Sequence, residues 1–315
     1  MKSNLKSWLV LTRCSNLPTV WSNVISGWLL GMAAVIRTPT VIVPSALNST
    51  LFTLLLGISL LYVAGMILND VFDYEWDCAN RPERPLPSGL ISRSKAKWVG
   101  IIILLLGLAL SAFSAGRFFK LTFLLTIFIL WYDVAHKGNP LAPMVMGACR
   151  ALLPMIGFIV ATIDGIYAQP NIVYVYAVVL GIYTYALTWV AKYELTPTKN
   201  SYWIERLLFL IPLPLIVYYN YTYWSLGALI FYVLWIIFSN RRHPTPSGIS
   251  ARVADRIAAF SLLDSIVSGA VLLMIAQFCG TEPMIQVKEV AWLAILAPPI
   301  CFGMTLWLRK FIPST

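Results

Sequence analysis

Ten apolar runs divide this chain, at about 17–36, 43–68, 96–114, 117–135, 141–163, 171–193, 203–220, 222–239, 253–278 and 289–309. Each is close to the roughly 20 helical residues that cross a hydrocarbon layer of about 30 Å. Inside lipid every backbone N–H and C=O must find its partner within the protein, and a helix does this along a single segment. The pattern therefore predicts an all-α, polytopic membrane protein. The link Tyr219-Asn220-Tyr221 leaves room only for a tight helical hairpin. Pro212 and Pro214 in the seventh run, and Pro298 and Pro299 in the tenth, mark these two as candidates to kink or re-enter, so the expectation is nine to ten transmembrane helices. Nothing near the N-terminus resembles a cleavable signal or an Arg-rich transit segment, so the first run reads as a retained helix.

Composition agrees. Charged residues make up 11% of the 315 and hydrophobic ones 59%, against the roughly 25% charged of a water-soluble domain. The net charge of +10 is unevenly placed. With the N-terminus inside and ten spans, Arg37, Arg117, Lys120 and Lys288 fall outside, Arg150 lies within a run, and the rest of the 23 Lys and Arg lie inside. That asymmetry follows the positive-inside rule. It explains the basic balance without nucleic acid and puts the N-terminus on the cytoplasmic side of a membrane, read as a prokaryotic cytoplasmic membrane. Cys14, Cys78, Cys149, Cys279 and Cys301 show no metal spacing and read as packing residues. His136 and His243 are too few for a His-based metal site.

The acids are concentrated. Asn69-Asp70-Val71-Phe72-Asp73-Tyr74-Glu75-Trp76-Asp77 closes the second run. On a helix Asn69, Asp73 and Asp77 share a face at i, i+4 and i+8, with Asp70 beside them. Carboxylates crowded in this way repel one another unless a cation sits among them. Hard oxygen ligands suit Mg²⁺, which bridges carboxylates to phosphate oxygens. The bland alternative is a solvated acidic helix end. Asn80-Arg81-Pro82-Glu83-Arg84-Pro85-Leu86-Pro87-Ser88-Gly89 follows, placing Arg81 and Arg84 in a proline-stiffened loop. Guanidinium groups are bidentate partners for phosphate, so acids and cations together read as a diphosphate site.

The run NDVFDYEWDCANRPERPLPSG resembles the NDxxDxxxD motif and NRPxRPLPSG-like loop of the UbiA superfamily of intramembrane prenyltransferases. Arg13 and Asn16 are similar to the Arg and Asn that open that family's first helix, Tyr132 and Lys137 to its YxxxxK-like segment, and Gly147 and Arg150 to its G-x-x-R. The resemblance covers roughly residues 8–280. It implies a UbiA-like bundle around a central lipid-facing cavity, formed by a single domain over 1–315, with about 281–315 an extra C-terminal helix. It implies Mg²⁺-dependent transfer of a prenyl group from a prenyl diphosphate to an aromatic or lipid-like acceptor. A terpene cyclase of the same family, needing no acceptor, is the second reading, and a non-catalytic transporter or scaffold the third. Membrane lipid surrounds the protein in each.

Carried over residue by residue, Asp73, Asp77, Arg13, Lys137 and Lys192 are the catalytic candidates. Arg13, Asn16, Asn69, Arg81, Arg84, Tyr132, Lys137, Arg150 and Lys192 are the candidates for binding diphosphate. The metal candidates are Asn69, Asp70, Asp73, Asp77 and Glu194. Arg13, Arg81, Lys137, Arg150 and Lys192 come from separate segments and are expected to converge, with Arg150, the deepest, free to pair with Asp133 or a helix carbonyl instead. One departure stands out. Where the family carries a second, DxxxD-type motif, this chain reads Trp189-Val190-Ala191-Lys192-Tyr193-Glu194, with a single acid. Asp264, inside the ninth run, reads equally as a functional carboxylate or a helix-packing one. Asp133 and His136 read as interfacial residues, and Gly27, Gly31, Gly65, Gly147 and Gly181 as close-packing positions.

Overall fold

The computed structural model describes residues 2–36, 45–116, 119–162, 171–192, 199–220, 222–244, 248–278 and 285–312. Its regular elements are helical: α1 (Lys2–Leu11), a 3₁₀ turn (Cys14–Asn16), α2 (Leu17–Ile36), α3 (Ser49–Phe72), α4 (Tyr74–Asn80), α5 (Arg93–Ala115), α6 (Lys120–Ala135), α7 (Ala142–Ala161), α8 (Asn171–Lys192), α9 (Lys199–Leu207), α10 (Leu213–Tyr218), α11 (Tyr223–Arg242), α12 (Ile249–Ala258), α13 (Phe260–Phe278) and α14 (Ile285–Leu308). Among the described residues eight helical segments are long and apolar enough to cross a membrane. The expected count of nine to ten spans differs at two places. α6 has 16 residues, about 24 Å at 1.5 Å per residue. The seventh run is broken into α9 and α10, with Pro212 as the N-cap of α10 and Pro214 in its first turn. Proline fits a first turn and disrupts a helix interior. Pro298 and Pro299, by contrast, lie within the unbroken α14.

Large apolar side chains such as Leu105, Phe113 and Ile230 are exposed on the outside, as expected where lipid is the solvent. The interior is organised around α2, which is almost wholly buried and packs against α7, α13 and α14. Its contact with α7 is backbone to backbone. A Cβ added at Gly27 would stand 2.0 Å from the carbonyl oxygen of Pro154, and one at Gly157 would stand 2.2 Å from that of Val24. Small residues permit this approach where apolar lipid offers helices no hydrophobic reason to associate.

The 3₁₀ turn and α2 together carry a buried polar stripe of Asn16, Thr19, Asn23 and Ser26. Deep in the bundle Asn23 donates to both oxygens of Asp264, at 2.9 Å each, and the Tyr176 hydroxyl donates to the same carboxylate. Asp264 is fully buried and ties α2, α8 and α13 together, which favours its helix-packing reading.

Candidate active site

The acidic stripe survives the helix junction. α3 ends at Phe72 and α4 begins at Tyr74, but Asp73 donates its N–H to Asn69 O at 2.9 Å, Asp77 to Asp73 O at 2.9 Å and Arg81 to Asp77 O at 2.8 Å. The i to i+4 register predicted for Asn69, Asp73 and Asp77 therefore holds. The loop that follows folds back because it has a small core of its own, where Leu86 and Ile91 pack with Leu11, Ile67, Val71 and Ala96.

Cations meet each carboxylate of the stripe. Arg84 Nη1 lies 2.8 Å from Asp77 Oδ2 and 3.5 Å from Asp70 Oδ1, and Arg13 Nη2 lies 2.9 Å from Asp70 Oδ1. Lys137 Nζ lies 2.8 Å from Asp73 Oδ1, and His136 Nε2 lies 3.4 Å from Asp73 Oδ2. Burial pushes the Asp73 carboxyl upward, but its hydrogen bonds from His136 and Lys137 outweigh that and hold it below the usual carboxylate range. Burial disfavours the charged form of His136, yet the Asp73 carboxylate raises its pKa above the usual imidazole value. His136 is further set by Nδ1, 3.0 Å from Tyr132 O, and by stacking on the Tyr132 ring. Arg13 is placed by an unusual backbone: its φ is 44°, in the left-handed region that non-glycine residues seldom occupy, and its carbonyl accepts from the Tyr62 hydroxyl at 3.1 Å. Backbone strain of this kind concentrates at functional sites.

These groups surround a cavity of about 710 Å³, within the roughly 300–1,000 Å³ typical of ligand pockets. Arg13, Asn16, Asn69, Asp73, Arg81, Arg84, Tyr132, Lys137, Arg150 and Lys192 all line it. The five cations drawn from separate segments thus face one space. Arg150 donates to Thr19 Oγ1 at 2.7 Å and lies 4.0 Å over the Phe260 ring, not on Asp133 or a helix carbonyl among the described residues. Arg81 and Lys192 rest over Trp76 and Trp189. The inner wall is apolar, with Ile58, Leu61, Leu125, Leu153 and Ile257. Asp70 and Asp77, both buried, stand behind this lining against Arg84. Glu194, with Tyr193 and Pro197, lies outside the described residues.

The sequence undervalued two residues. His136 touches Asp73, and Asp133 is a buried residue of the cavity wall. Their only sequence signal was proximity to Tyr132 and Lys137. The oxygen donors Asn69, Asp73, Asp77 and Asp133 suit a hard divalent cation. Asp77 Oδ1 and Asp133 Oδ2 are buried with no hydrogen-bond partner among the described residues, so they have acceptor capacity to spare. Among the described residues no three His, Cys, Asp or Glu side chains are grouped so as to hold a metal ion by themselves, so a Mg²⁺ ion here would have to take part of its shell from a bound substrate.

A profile of the UbiA prenyltransferase family matches residues 24–263. The digeranylgeranylglyceryl phosphate synthase of Saccharolobus solfataricus is 25% identical over 85% of this chain and 98% of its own length. That of Thermococcus gammatolerans is 36% identical, over 35% of this chain and 40% of its own length. The solved apo structure of a UbiA homolog from Aeropyrum pernix superposes with a TM-score of 0.58 at 14% identity, covering 80% of this chain and 97% of that one.

Proposed function

This chain is an intramembrane prenyltransferase belonging to the UbiA prenyltransferase family, and we propose that it moves a prenyl group from a prenyl diphosphate to a lipid acceptor of the glyceryl phosphate type. The observation that carries this reading is one cavity with cations at its mouth and aliphatic side chains at its depth. A prenyl diphosphate has the same division, with a trianionic head and a hydrocarbon tail. The acceptor class is inferred from relatives that are digeranylgeranylglyceryl phosphate synthases.

In this reading Asn69, Asp73 and Asp77, with Glu194, would hold Mg²⁺. When bound it supplies positive charge to the diphosphate as that group departs. Arg13, Arg81, Lys137 and Lys192 bind phosphate oxygens and stabilise the charge that develops as the allylic C–O bond breaks. Arg84 holds Asp77 and Asp70 in place. Arg150, against Thr19 and Phe260, marks the inner edge of the cationic zone. The apolar wall excludes water, which would otherwise capture the allylic cation. Asn16 and Tyr132 shape the space between head and tail.

The bias of Lys and Arg supports a reading in which the cavity mouth and N-terminus face the cytoplasm, across what is read as a prokaryotic cytoplasmic membrane. α14, which packs on α2 and α13, is read as an addition beyond the family core within one domain. The test is to incubate the purified protein with Mg²⁺, prenyl diphosphates of several lengths and a glyceryl phosphate ether lipid, then analyse the extract by mass spectrometry. A prenylated acceptor is expected. A cyclic hydrocarbon formed without acceptor, or untouched diphosphate, would overturn the proposal.

A further inference from the structure

The ion pairs where α9, α11 and α12 meet border a second cavity, of about 170 Å³. Glu205 and Arg206 of α9, Asn240 of α11, Arg252 of α12 and the link residues His243 and Pro244 wall it. None of its wall residues lines the large cavity. Its charges do not balance. Among the described residues Glu205 is the one acid of this wall, and its Oε1 already receives Arg252 Nε and Arg256 Nη2 at 2.6 Å each. Arg206 brings a third guanidinium, at the exposed rim. Asp255, also on α12, is taken by Arg309 and Ser239. Arg256 is fully buried, and its Nε and Nη1 have no hydrogen-bond partner among the described residues. Positive charge buried in excess of its counter-charge is costly until an anion offsets it.

Size, chemistry and place select the anion. The space is below the roughly 300–1,000 Å³ of pockets that enclose a whole small molecule, so it suits one compact polar group. Guanidinium forks match phosphate oxygens. α11 is one of the spanning segments, and it ends in Arg241 and Arg242, next to His243 of the pocket wall. A turn earlier Ile237 and Phe238 are exposed, as toward hydrocarbon. Arg206 lies over the exposed ring of Trp203, a residue type that settles at membrane–water interfaces. We propose that this pocket binds a phosphate group, supplied by the headgroup of an anionic phospholipid whose chains lie along α11. Basic pockets between spanning helices at the membrane surface take such headgroups. The proposal is independent of the prenyl diphosphate reading. The competing account is a purely structural cluster whose surplus charge is met by water alone.

Native mass spectrometry and thermal unfolding of the full chain in a neutral detergent separate the two. The additions are phosphatidylglycerol, phosphatidylcholine or inorganic phosphate. Phosphatidylglycerol should bind and raise the thermal midpoint, while phosphatidylcholine, whose phosphate carries its own ammonium, should do so far less. Arg206→Gln should weaken phosphatidylglycerol binding about fivefold, the weight of one basic residue beside an anionic headgroup. Arg93→Gln, an exposed arginine outside the pocket wall, should bind it as wild type does. Glu205→Gln gives a test of sign. It enlarges the surplus positive charge, so phosphatidylglycerol should raise its midpoint by more than it raises that of wild type. A structural cluster has no reason to respond in this way. Arg206 is exposed, so Arg206→Gln keeps the test sound if Glu205→Gln does not fold. Wild-type phosphatidylglycerol affinity in Arg206→Gln overturns the inference. Protection by inorganic phosphate with none from phosphatidylglycerol overturns the headgroup as its source.

Discussion

At the cavity mouth Arg84 bridges Asp77 and Asp70 with its side chain 16% exposed, and Lys137, held to Asp73, is 42% exposed. Where α9, α11, α12 and α14 meet, a second set of ion pairs surrounds a fully buried guanidinium. Glu205 Oε1 receives Arg252 Nε and Arg256 Nη2, each at 2.6 Å, and Arg256 is 0% exposed. Arg256 also donates to Asn240, and Arg309 pairs with Asp255, which accepts from Ser239. The chemistry is the same, but the setting decides its use. Pairs that open on a cavity can exchange their partner for a phosphate or a cation. Arg256, with no exposed surface, has no such exchange open to it. The comparison also explains why a charge count along the chain was incomplete. Arg252 and Arg256, counted with the inside-facing cations, are buried on α12 and share the single negative charge of Glu205.

The largest effect should come from the open region. Asp73→Ala should lower turnover on the order of 10²–10³-fold, the cost of removing one element of transition-state charge stabilisation, with the thermal midpoint nearly unchanged. EDTA should have the same result. If Asp73→Ala unfolds the protein instead, the mouth is as structural as the closed cluster. In that cluster Glu205→Gln should leave Arg252 and Arg256 buried without their counter-charge, at a cost of about 3–5 kcal/mol. Denaturant or thermal unfolding in detergent would read this, and turnover per folded molecule should stay the same. Tyr176→Phe removes a hydroxyl donor to Asp264 and should cost about 0.5–1.5 kcal/mol, the net contribution of one hydrogen bond, because Asn23 still donates to both carboxylate oxygens. Arg93→Gln should change neither turnover nor thermal midpoint, because the Arg93–Glu75 pair is solvent-exposed.

Much of this was legible in the chain. Run length predicted the spans because lipid enforces a minimum helix length. The stripe Asn69, Asp73, Asp77 was legible because a helical register carries across the α3–α4 junction without a slip. In the seventh run Pro212 and Pro214, which marked it as a candidate to kink or re-enter, stand at the start of α10, where the run is broken. Other features depend on tertiary closure. Asn23 meets Asp264 across 241 positions of sequence, and Glu205 meets Arg252 across 47. The return of Arg84 to Asp70 and Asp77 is decided by the small core beneath the proline loop. Whether Asp133 or Tyr132 faces the cavity could not be read from adjacency; both do.

The meshing of α2 and α7 makes the two sides of the cavity mechanically unequal. Thr19 on α2 and Arg150 on α7 belong to a wall in which backbone rests on backbone at Gly27 and Gly157. Such a wall has no side-chain layer to compress. α3 and α6 meet through longer side chains, as at Gly65, where an added Cβ would meet the Ile129 side chain and no backbone. The seam between α3 and α6, beside the acids, is therefore a side-chain contact, while α3 is in turn meshed backbone to backbone with α5 at Gly57 and Gly107.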